Sequence, residues 1–265
     1  MSRTVYFVSD HTGVTAEVLG HSLLARFEER DLVTTTRPFI NSVERAEELV
    51  AEMAALPVEP IVFSTITEPA VRERISTAVT HHFDLVSPFL DPLEQVFGYP
   101  AAKRIGAAHG IRDLARYQAR IDAVEFSLAT DDGSNTNRYP QAEAVMIGVS
   151  RVGKSPTCLY LAMQYGVKAS NYPLADDDFE RSTLPVPIAQ FVPKLFGLTI
   201  QPQRLFELRQ RRRPNSEYAS QQRCEYEVRR AESLFRQHGI PYVDVTHLSV
   251  EELAATLLQR RRLPT

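Results

Sequence analysis

The chain has 265 residues, of which 43% are hydrophobic and 24% charged, enough apolar material for one or two domains with their own cores. Its 30 Lys and Arg against 33 Asp and Glu give a formal net charge of −3, which argues against nucleic acid or a membrane surface as a partner. We find no signal-peptide pattern and no apolar segment of bilayer-spanning length, and Cys158 and Cys224 form neither a disulfide framework nor a zinc spacing. We therefore expect a soluble, cytoplasmic protein.

The first half of the chain alternates short apolar runs with amphipathic segments. Strands are predicted over residues 4–8, 37–40, 60–66 and 84–87, and helices behind residue 13, over 44–56 and over 69–81. The buried face of the first helix is predicted to comprise Val14, Val18, Leu23, Leu24 and Phe27. This alternation indicates βαβ crossovers and a mainly parallel sheet.

Three polar or turn-like features lie within this half. The turn Ser9–Gly13 follows the first strand, at the sheet edge where α/β proteins place ligands. Its side chains either bind a phosphate or substrate group or cap the next helix, and the spacing leaves both readings open. His81 and His82 are predicted at a solvated helix end, because no third ligand with metal spacing is nearby. Residues 89–92 are predicted to form a turn or connection.

The second half repeats the alternation of strands and helices. Residues 111–128 predict a long amphipathic helix, and the polar stretch 131–137 predicts the turn that ends it. Further strands are predicted over 144–147, 167–170, 194–200 and 241–245, with helices after residue 155, over 204–238 with a break near Pro214, and over 249–258. We therefore predict an α/β protein with a small N-terminal parallel-sheet domain and its connecting helix over residues 1–135, and a P-loop kinase-like α/β domain over residues 136–265.

The segment GVSRVGKS carries the strongest chemical signal in the chain. It follows an apolar run and precedes a helical pattern, so G-x-x-x-x-G-K-[ST] lies between a strand and a helix, as in loops that bind nucleotide phosphates. Lys154 would contact the phosphates and the Ser155 hydroxyl would hold Mg²⁺. The alternative is a glycine turn that binds nothing, which the spacing and the flanks disfavour. The predicted nucleotide-binding residues are Gly148, Val149, Ser150, Arg151, Val152, Gly153, Lys154 and Ser155.

Catalysis of phosphoryl transfer also needs a carboxylate that orients the attacking group or the metal. One candidate group is the acidic run of Asp176, Asp177 and Asp178. Each of these residues either orients an acceptor hydroxyl or caps and solvates the start of a helix. Asp244 lies in an apolar strand and either approaches Mg²⁺ or caps the turn at Thr246. The candidate catalytic residues are therefore Lys154, Ser155, Asp176, Asp177, Asp178 and Asp244.

A run of arginines follows the strand predicted over 194–200. These side chains either clamp a transferred phosphate, contact an acidic partner or form a solvated helix face, which is the default for most of them. No aromatic residues interleave with them as a stacking platform, so nucleic acid is not expected as a partner. The run comprises Arg204, Arg209, Arg211, Arg212 and Arg213.

Several longer segments together make a more specific pattern than the loop alone. They are RTVYFVSDHTGVTAEVLGHSLLARF, GVSRVGKSPTCLYLAMQYGVKASNYPL, KLFGLTIQPQRL, NSEYAS and PYVDVTHLSVEE. In these segments, and over nearly its whole length, the chain resembles the bifunctional kinase and pyrophosphorylase family that regulates phosphoenolpyruvate synthase and pyruvate, phosphate dikinase. The details look closest to the bacterial synthase branch.

The resemblance implies an ADP-dependent kinase that inactivates its target by phosphorylating a threonine, and releases AMP. It also implies the reversal, in which inorganic phosphate removes the phosphoryl group as pyrophosphate. Carried over by position, Gly148–Ser155 binds ADP, while the resemblance does not identify the general base. A protein that docks on a large enzyme could well be a homodimer. Two other readings stay open: an ATP-dependent small-molecule P-loop kinase, and a non-catalytic adenylate sensor.

Overall fold

The computed structural model describes residues 2–27, 31–101, 114–181 and 183–261. The chain divides into two compact units, Met1–Gly110 and Ile111–Thr265. Each unit is built on a four-stranded, all-parallel sheet with helical crossovers, which confirms the predicted α/β class. Among the described residues, no helix combines the length and the hydropathy that crossing a bilayer requires.

The sheet of the first unit has the strand order β2-β1-β3-β4. Strand β1 is central, and its Val5 pairs with Thr34 on one side and Ile61 on the other. The elements of this unit are β1 (Arg3–Ser9), α1 (Val14–Leu24), β2 (Leu32–Arg37), α2 (Val43–Ala54), β3 (Ile61–Thr65), α3 (Pro69–Ser76), β4 (His81–Asp84) and α4 (Ser87–Phe97).

Helix α1 packs on the sheet through its small residues. Ala16 and Gly20 are buried, and a Cβ atom on Gly20 would lie 2.3 Å from Cε1 of Phe7, so the helix approaches the sheet closely. The predicted apolar face is wrong: Val18 is 66% and Phe27 69% exposed. The pattern of large apolar residues was misleading because the aromatic rings of the sheet leave room only for residues without large side chains.

Four further predictions for this unit are wrong. Strand β4 ends at Asp84, where the strand predicted over 84–87 begins, and α4 begins at Ser87. His81 and His82 begin β4 rather than ending a helix, and Nε2 of His82 lies 2.8 Å from Oγ of Ser64 on the neighbouring strand. Residues 89–92 lie inside α4, which accommodates Pro92. Strand β2 ends at Arg37, where the predicted strand begins.

The turn Ser9–Gly13 is held by its own side chains and by the end of β3. Asp10 is buried and accepts hydrogen bonds from the backbone nitrogen and hydroxyl of Thr67, at 2.8 and 2.5 Å. Oγ of Ser9 accepts from Thr65 at 3.0 Å and from the backbone nitrogen of His11 at 3.1 Å. These polar groups therefore join two strand ends.

The second unit holds the predicted loop and the larger core. Its elements are α5 (Leu114–Ala129), β5 (Ala144–Gly148), α6 (Lys154–Tyr165), β6 (Ala169–Pro173), α7 (Asp176–Glu180), α8 (Val186–Ala189), β7 (Leu195–Thr199), α9 (Pro202–Arg212), α10 (Gln221–Gln237), β8 (Tyr242–Asp244) and α11 (Val250–Arg261). Helix α5 packs against α6 and β6. The compact units therefore divide before this helix, earlier than the predicted division at residues 135 and 136.

The sheet of the second unit has the strand order β6-β5-β7-β8. All five residues of β5 are buried, and its neighbours are β6 and β7. From β5 the chain crosses to β6 on one side, then returns past β5 to β7 on the other. Parallel sheets bind ligands where the strand order reverses in this way, outside the carboxyl ends of the strands. Gly148 ends β5 at this edge.

Candidate active site around residues 148–155

The segment from Gly148 to Ser155, here called the glycine loop, joins β5 directly to α6. Gly148 has no room for a side chain, because a Cβ atom would lie 2.5 Å from the carbonyl oxygen of Leu198 on β7. Arg151 and Gly153 both have left-handed backbone conformations, with φ of 80° and 86°. Left-handed residues in a short loop are typical of backbone nests, which present N–H groups to an anion. The helix that begins at Lys154 adds its positive dipole end.

Lys154 is buried at the base of the glycine loop. Its Nζ donates to the carbonyl oxygens of Gly148, at 3.1 Å, and Val149, at 2.9 Å. Burial lowers the pKa of Lys154 to about 8, and the carboxylates of Asp132 and Asp131 partly oppose that shift. A buried ammonium group is stabilised by negative charge brought next to it, so this position favours a phosphate.

A carboxylate and a hydroxyl meet beside the loop on the β6 side. Nδ2 of Asn171, a buried residue of β6, donates to Oδ1 of Asp131 at 2.6 Å and contacts Oγ of Ser155 at 3.5 Å. The backbone nitrogen of Asp132 in turn donates to Oδ1 of Asn171 at 3.2 Å. Asp131 and Asp132 were not among the predicted site residues. Their acidic pair was the available signal, but it was interpreted only as part of a helix-ending turn.

Two oxygen atoms of the kind that Mg²⁺ binds lie on either side of the Asn171 amide group. Mg²⁺ usually binds one or two protein oxygens together with substrate phosphates. The Ser155 hydroxyl and the Asp131 carboxylate are oxygen donors of that type, and both lie within reach of one amide nitrogen. Within the described ranges, no group of three His, Cys, Asp or Glu side chains could hold a metal unaided.

A buried arginine supports the loop from the α9 side. The side chain of Arg209 is fully buried, and its Nη2 contacts Glu227 at 2.6 Å and the carbonyl oxygen of Ser150 at 3.4 Å. Its guanidinium group lies over the ring of Tyr218, 4.2 Å from the centroid. The Tyr218 hydroxyl is 2.9 Å from Oγ of Ser150, so Ser150 is held from two directions. Arg211, Arg212 and Arg213 are exposed, as expected for a solvated face.

The acidic run begins α7, just after β6. The loop contacts the segment before it, since the backbone nitrogen of Leu174 donates to the oxygen of Gly148 at 3.0 Å. Asp176 pairs with Arg223 and is largely exposed, and Asp177 is exposed as well. Asp178 differs, because burial raises the pKa of its carboxyl group, which also accepts a hydrogen bond from the backbone nitrogen of Ala175 at 3.0 Å.

Asp244 is separated from the acidic run by the order of the strands. It ends β8 at one edge of the sheet, whereas α7 follows β6 at the other. Its exposed carboxylate accepts hydrogen bonds from the backbone nitrogen of Thr246, at 2.8 Å, and from the Thr246 hydroxyl. This contact corresponds to the turn cap, one of the two roles that the sequence left open for Asp244.

The parallel α/β fold and the glycine loop fit a class of proteins that bind a phosphate group on a strand-to-helix loop. Comparison with known proteins identifies the family. The chain belongs to the kinase/pyrophosphorylase family, whose model matches residues 5–258. A protein of Ectopseudomonas mendocina is 47% identical over 262 residues, covering 97% of this chain and 96% of the relative. A protein of Pseudomonas aeruginosa strain LESB58 is 46% identical over the same lengths. Both are named "Putative phosphoenolpyruvate synthase regulatory protein".

Proposed function

We propose that this protein switches phosphoenolpyruvate synthase off and on by adding and removing a phosphoryl group on a threonine of that enzyme. The names of its relatives support the target, and the family supports the pairing of a kinase with a pyrophosphorylase. The observation that carries the proposal is the buried Lys154 at the base of the glycine loop, between β5 and α6. ADP is the proposed donor, with Mg²⁺ bound to its phosphates.

In the forward reaction, the threonine oxygen attacks the terminal phosphorus of ADP. The bond between that phosphorus and the bridging oxygen breaks, AMP leaves, and the hydroxyl proton passes to a base. Because ADP has only two phosphates, its β-phosphate must occupy the reactive position that the γ-phosphate takes in ATP-dependent enzymes. Backbone N–H groups of the loop and the Lys154 ammonium group stabilise the charge on that phosphate.

In the reverse reaction, inorganic phosphate attacks the phosphorus of the phosphothreonine. The bond between that phosphorus and the threonine oxygen breaks, the oxygen takes a proton, and pyrophosphate leaves. The donor of the forward reaction, ADP, and the product of the reverse reaction, pyrophosphate, both contain a diphosphate group. We propose that this diphosphate group binds the glycine loop in both reactions. One set of N–H groups and one lysine can therefore serve both reactions.

We assign the general base to Asp178, from the four carboxylates that the sequence suggested. Its raised pKa brings the carboxyl group closer to the range in which a base accepts a proton at neutral pH. Asp176 is engaged with Arg223, and Asp244 with Thr246. Ser155 and Asp131 are the proposed metal contacts, and bound Mg²⁺ would offset the charge that develops on the phosphate oxygens.

The test is reversible inactivation of purified phosphoenolpyruvate synthase. Incubation with the wild-type protein, Mg²⁺ and ADP should abolish synthase activity and leave a phosphothreonine, and added phosphate should restore activity with release of pyrophosphate. Lys154→Met should do neither, while Lys168→Met, a change on the same unit but outside the site, should do both. Turnover of ATP with a metabolite would support a small-molecule kinase instead. Inhibition by binding without a phosphothreonine would support an adenylate sensor.

Two properties accompany this proposal. A cytoplasmic location suits the target, and it agrees with two buried, unpaired cysteines, Cys158 and Cys224. A homodimer stays a prediction, which the elution volume of the purified protein would test.

A further inference from the structure

Four charged side chains form a continuous network between the glycine loop and the acidic run. Starting at the loop, Nη2 of Arg209 contacts the carbonyl oxygen of Ser150 at 3.4 Å and Oε2 of Glu227 at 2.6 Å. The other carboxylate oxygen of Glu227 accepts a hydrogen bond from Nε of Arg223 at 2.7 Å. Nη2 of Arg223 in turn pairs with Asp176, at the start of α7. The side chains of Arg209, Glu227, Arg223 and Asp176 are called the charge network below.

The charge network follows from the packing of two helices. Arg223 and Glu227 are four residues apart on α10, so their side chains lie on the same face of that helix. Helix α9 packs against α10 and brings Arg209 to the other side of the Glu227 carboxylate. The side chain of Arg209 is fully buried and that of Glu227 is 8% exposed. Buried charges need a partner, so these two side chains depend on each other.

Helix α10 holds both ends of α7. Arg223 pairs with Asp176 in the first turn, and Nε of Arg230 donates to the carbonyl oxygen of Phe179 at 2.7 Å. The ring of Phe179 is buried. A helix of five residues is too short to be stable by itself, so the position of α7 depends on these contacts. Because Asp178 belongs to α7, the position of the proposed base depends on them as well.

We propose that Arg223 is a positioning residue, which acts through the charge network to fix the proposed base Asp178 relative to the glycine loop. This inference rests on the proposed function, because it presumes that the loop binds the donor phosphates and that Asp178 takes the proton. Through Glu227 and Arg209 the network contacts the loop, and through Asp176 it holds α7. Phosphoryl transfer depends mostly on positioning, and a displacement of about 1 Å can cost about 10²-fold in rate.

The alternative role for Arg223 is only to balance the charge of Glu227. The two ends of the charge network differ in exposure, which allows these roles to be separated. Removal of Arg209 or Glu227 would leave a buried charge without its partner and is expected to destabilise the unit. The side chains of Arg223 and Asp176 are 28% and 79% exposed. Arg223→Gln therefore cuts the network while Glu227 keeps Arg209, and this variant should fold.

The experiment compares Arg223→Gln with the wild type in three measurements. They are ADP affinity by calorimetry, amide hydrogen exchange of residues 176–180 by mass spectrometry, and the rate of phosphoryl transfer to the synthase at saturating ADP. We expect ADP affinity to stay within about twofold. Exchange in α7 should become at least about threefold faster, and transfer should become at least about tenfold slower. Unchanged exchange, or an unchanged transfer rate, would overturn the positioning role.

The matched control is Arg229→Gln, at an exposed position of the same helix. This variant removes the same charge from α10 without touching the charge network, so it should behave like the wild type in all three measurements. An equal loss of transfer rate in Arg229→Gln would assign the effect to the overall charge of α10 and would overturn the positioning role.

A double-mutant cycle tests whether Arg223 acts through Asp176. Asp176→Asn should slow transfer about as much as Arg223→Gln does, and the double variant should be little slower than either one. If Arg223 only balanced Glu227, Asp176→Asn would leave the rate unchanged. If Asp176 were itself the base, its replacement would slow transfer further in the Arg223→Gln background. Either result would overturn the positioning role.

These outcomes separate the charge network from the proposed function. If Arg223→Gln speeds exchange in α7 but the wild type transfers no phosphoryl group to the synthase, the anchoring of α7 stands and the proposed reaction fails. If the wild type and Arg223→Gln transfer phosphate from ADP at the same rate, the reaction stands and the positioning role fails.

Discussion

The carboxylate of Asp131 and the hydroxyl of Ser155 approach the same amide nitrogen, Nδ2 of Asn171, at 2.6 and 3.5 Å. One residue precedes β5, one belongs to α6 and the third lies in the middle of β6. The buried asparagine therefore joins an acidic turn to the start of the helix after the glycine loop. This junction supplies oxygen atoms next to the position proposed for the terminal phosphates.

We predict that Asp131→Asn weakens Mg²⁺-dependent ADP binding. The substitution preserves the shape of the side chain but removes the negative charge, so affinity in the presence of Mg²⁺ should fall about 10- to 100-fold, whereas binding measured with EDTA should change little. Titration calorimetry with and without Mg²⁺ measures both. The control is Asp122→Asn, on the exposed face of α5. An equal effect of Mg²⁺ on Asp131→Asn and wild type would contradict a role for Asp131 in holding the metal.

The pKa of Lys154 predicts how ADP binding depends on pH. Burial lowers this pKa to about 8 in the free protein, and a bound diphosphate would raise it by favouring the ammonium form. Above pH 8 binding must therefore be accompanied by proton uptake, so affinity should fall as pH rises, by up to about tenfold per unit. The guanidinium group of Lys154→Arg stays charged throughout this range, and this variant should lack the decline. Constant wild-type affinity from pH 7 to pH 9.5, measured by calorimetry, would exclude Lys154 as a phosphate contact.

We predict that Asp178→Asn slows phosphoryl transfer without weakening ADP binding. Loss of a general base typically costs about 10²–10⁴-fold in rate. Asp177→Asn, one position earlier and exposed, is the matched control and should retain most of the activity. Transfer rates at saturating ADP and separately measured ADP affinities distinguish the two effects. If Asp178→Asn transferred phosphate at the wild-type rate, the base would have to be another group.

The two glycines of the loop should respond differently to alanine. At Gly153, the Cβ atom would enter open space, so Gly153→Ala adds only left-handed strain of about 1–2 kcal/mol. At Gly148, the Cβ atom would lie 2.5 Å from the Leu198 carbonyl, which forces β5 and β7 apart. Gly148→Ala should therefore lower the free energy of unfolding by about 1–3 kcal/mol more than Gly153→Ala does. Urea titrations of both variants measure the difference, and equal losses would contradict this packing of β5 against β7.

The glycine loop and its flanking elements were predictable because their signals are local. Periodicity located β5 and α6, and the positions of two glycines, a lysine and a serine defined the segment between them. Local sequence patterns gave wrong predictions where tertiary packing determines which side chains are buried. The apolar residues of α1 had helical spacing, but small residues face the sheet there because Phe7 leaves no room for a side chain at position 20.

The residues around the loop depended on sheet order and on burial. Asp131 and Ser155 are linked through Asn171, which occupies the middle of β6 opposite Met146 in β5, and no short motif contains this relationship. Arg209 did carry a usable signal, since it lies one helical turn after the buried Leu205, on the same face of α9. The surrounding arginines obscured that signal, because Arg211, Arg212 and Arg213 are indeed exposed.

The most direct test of the account follows the terminal phosphate of the donor. ADP labelled at its β-phosphate would be incubated with the purified protein and phosphoenolpyruvate synthase, and the label located by mass spectrometry of the synthase peptides. We predict that the label appears on a threonine of the synthase, that unlabelled AMP accumulates in equal amount, and that Lys154→Met abolishes both. Efficient labelling from the γ-phosphate of ATP, with none from ADP, would contradict the account.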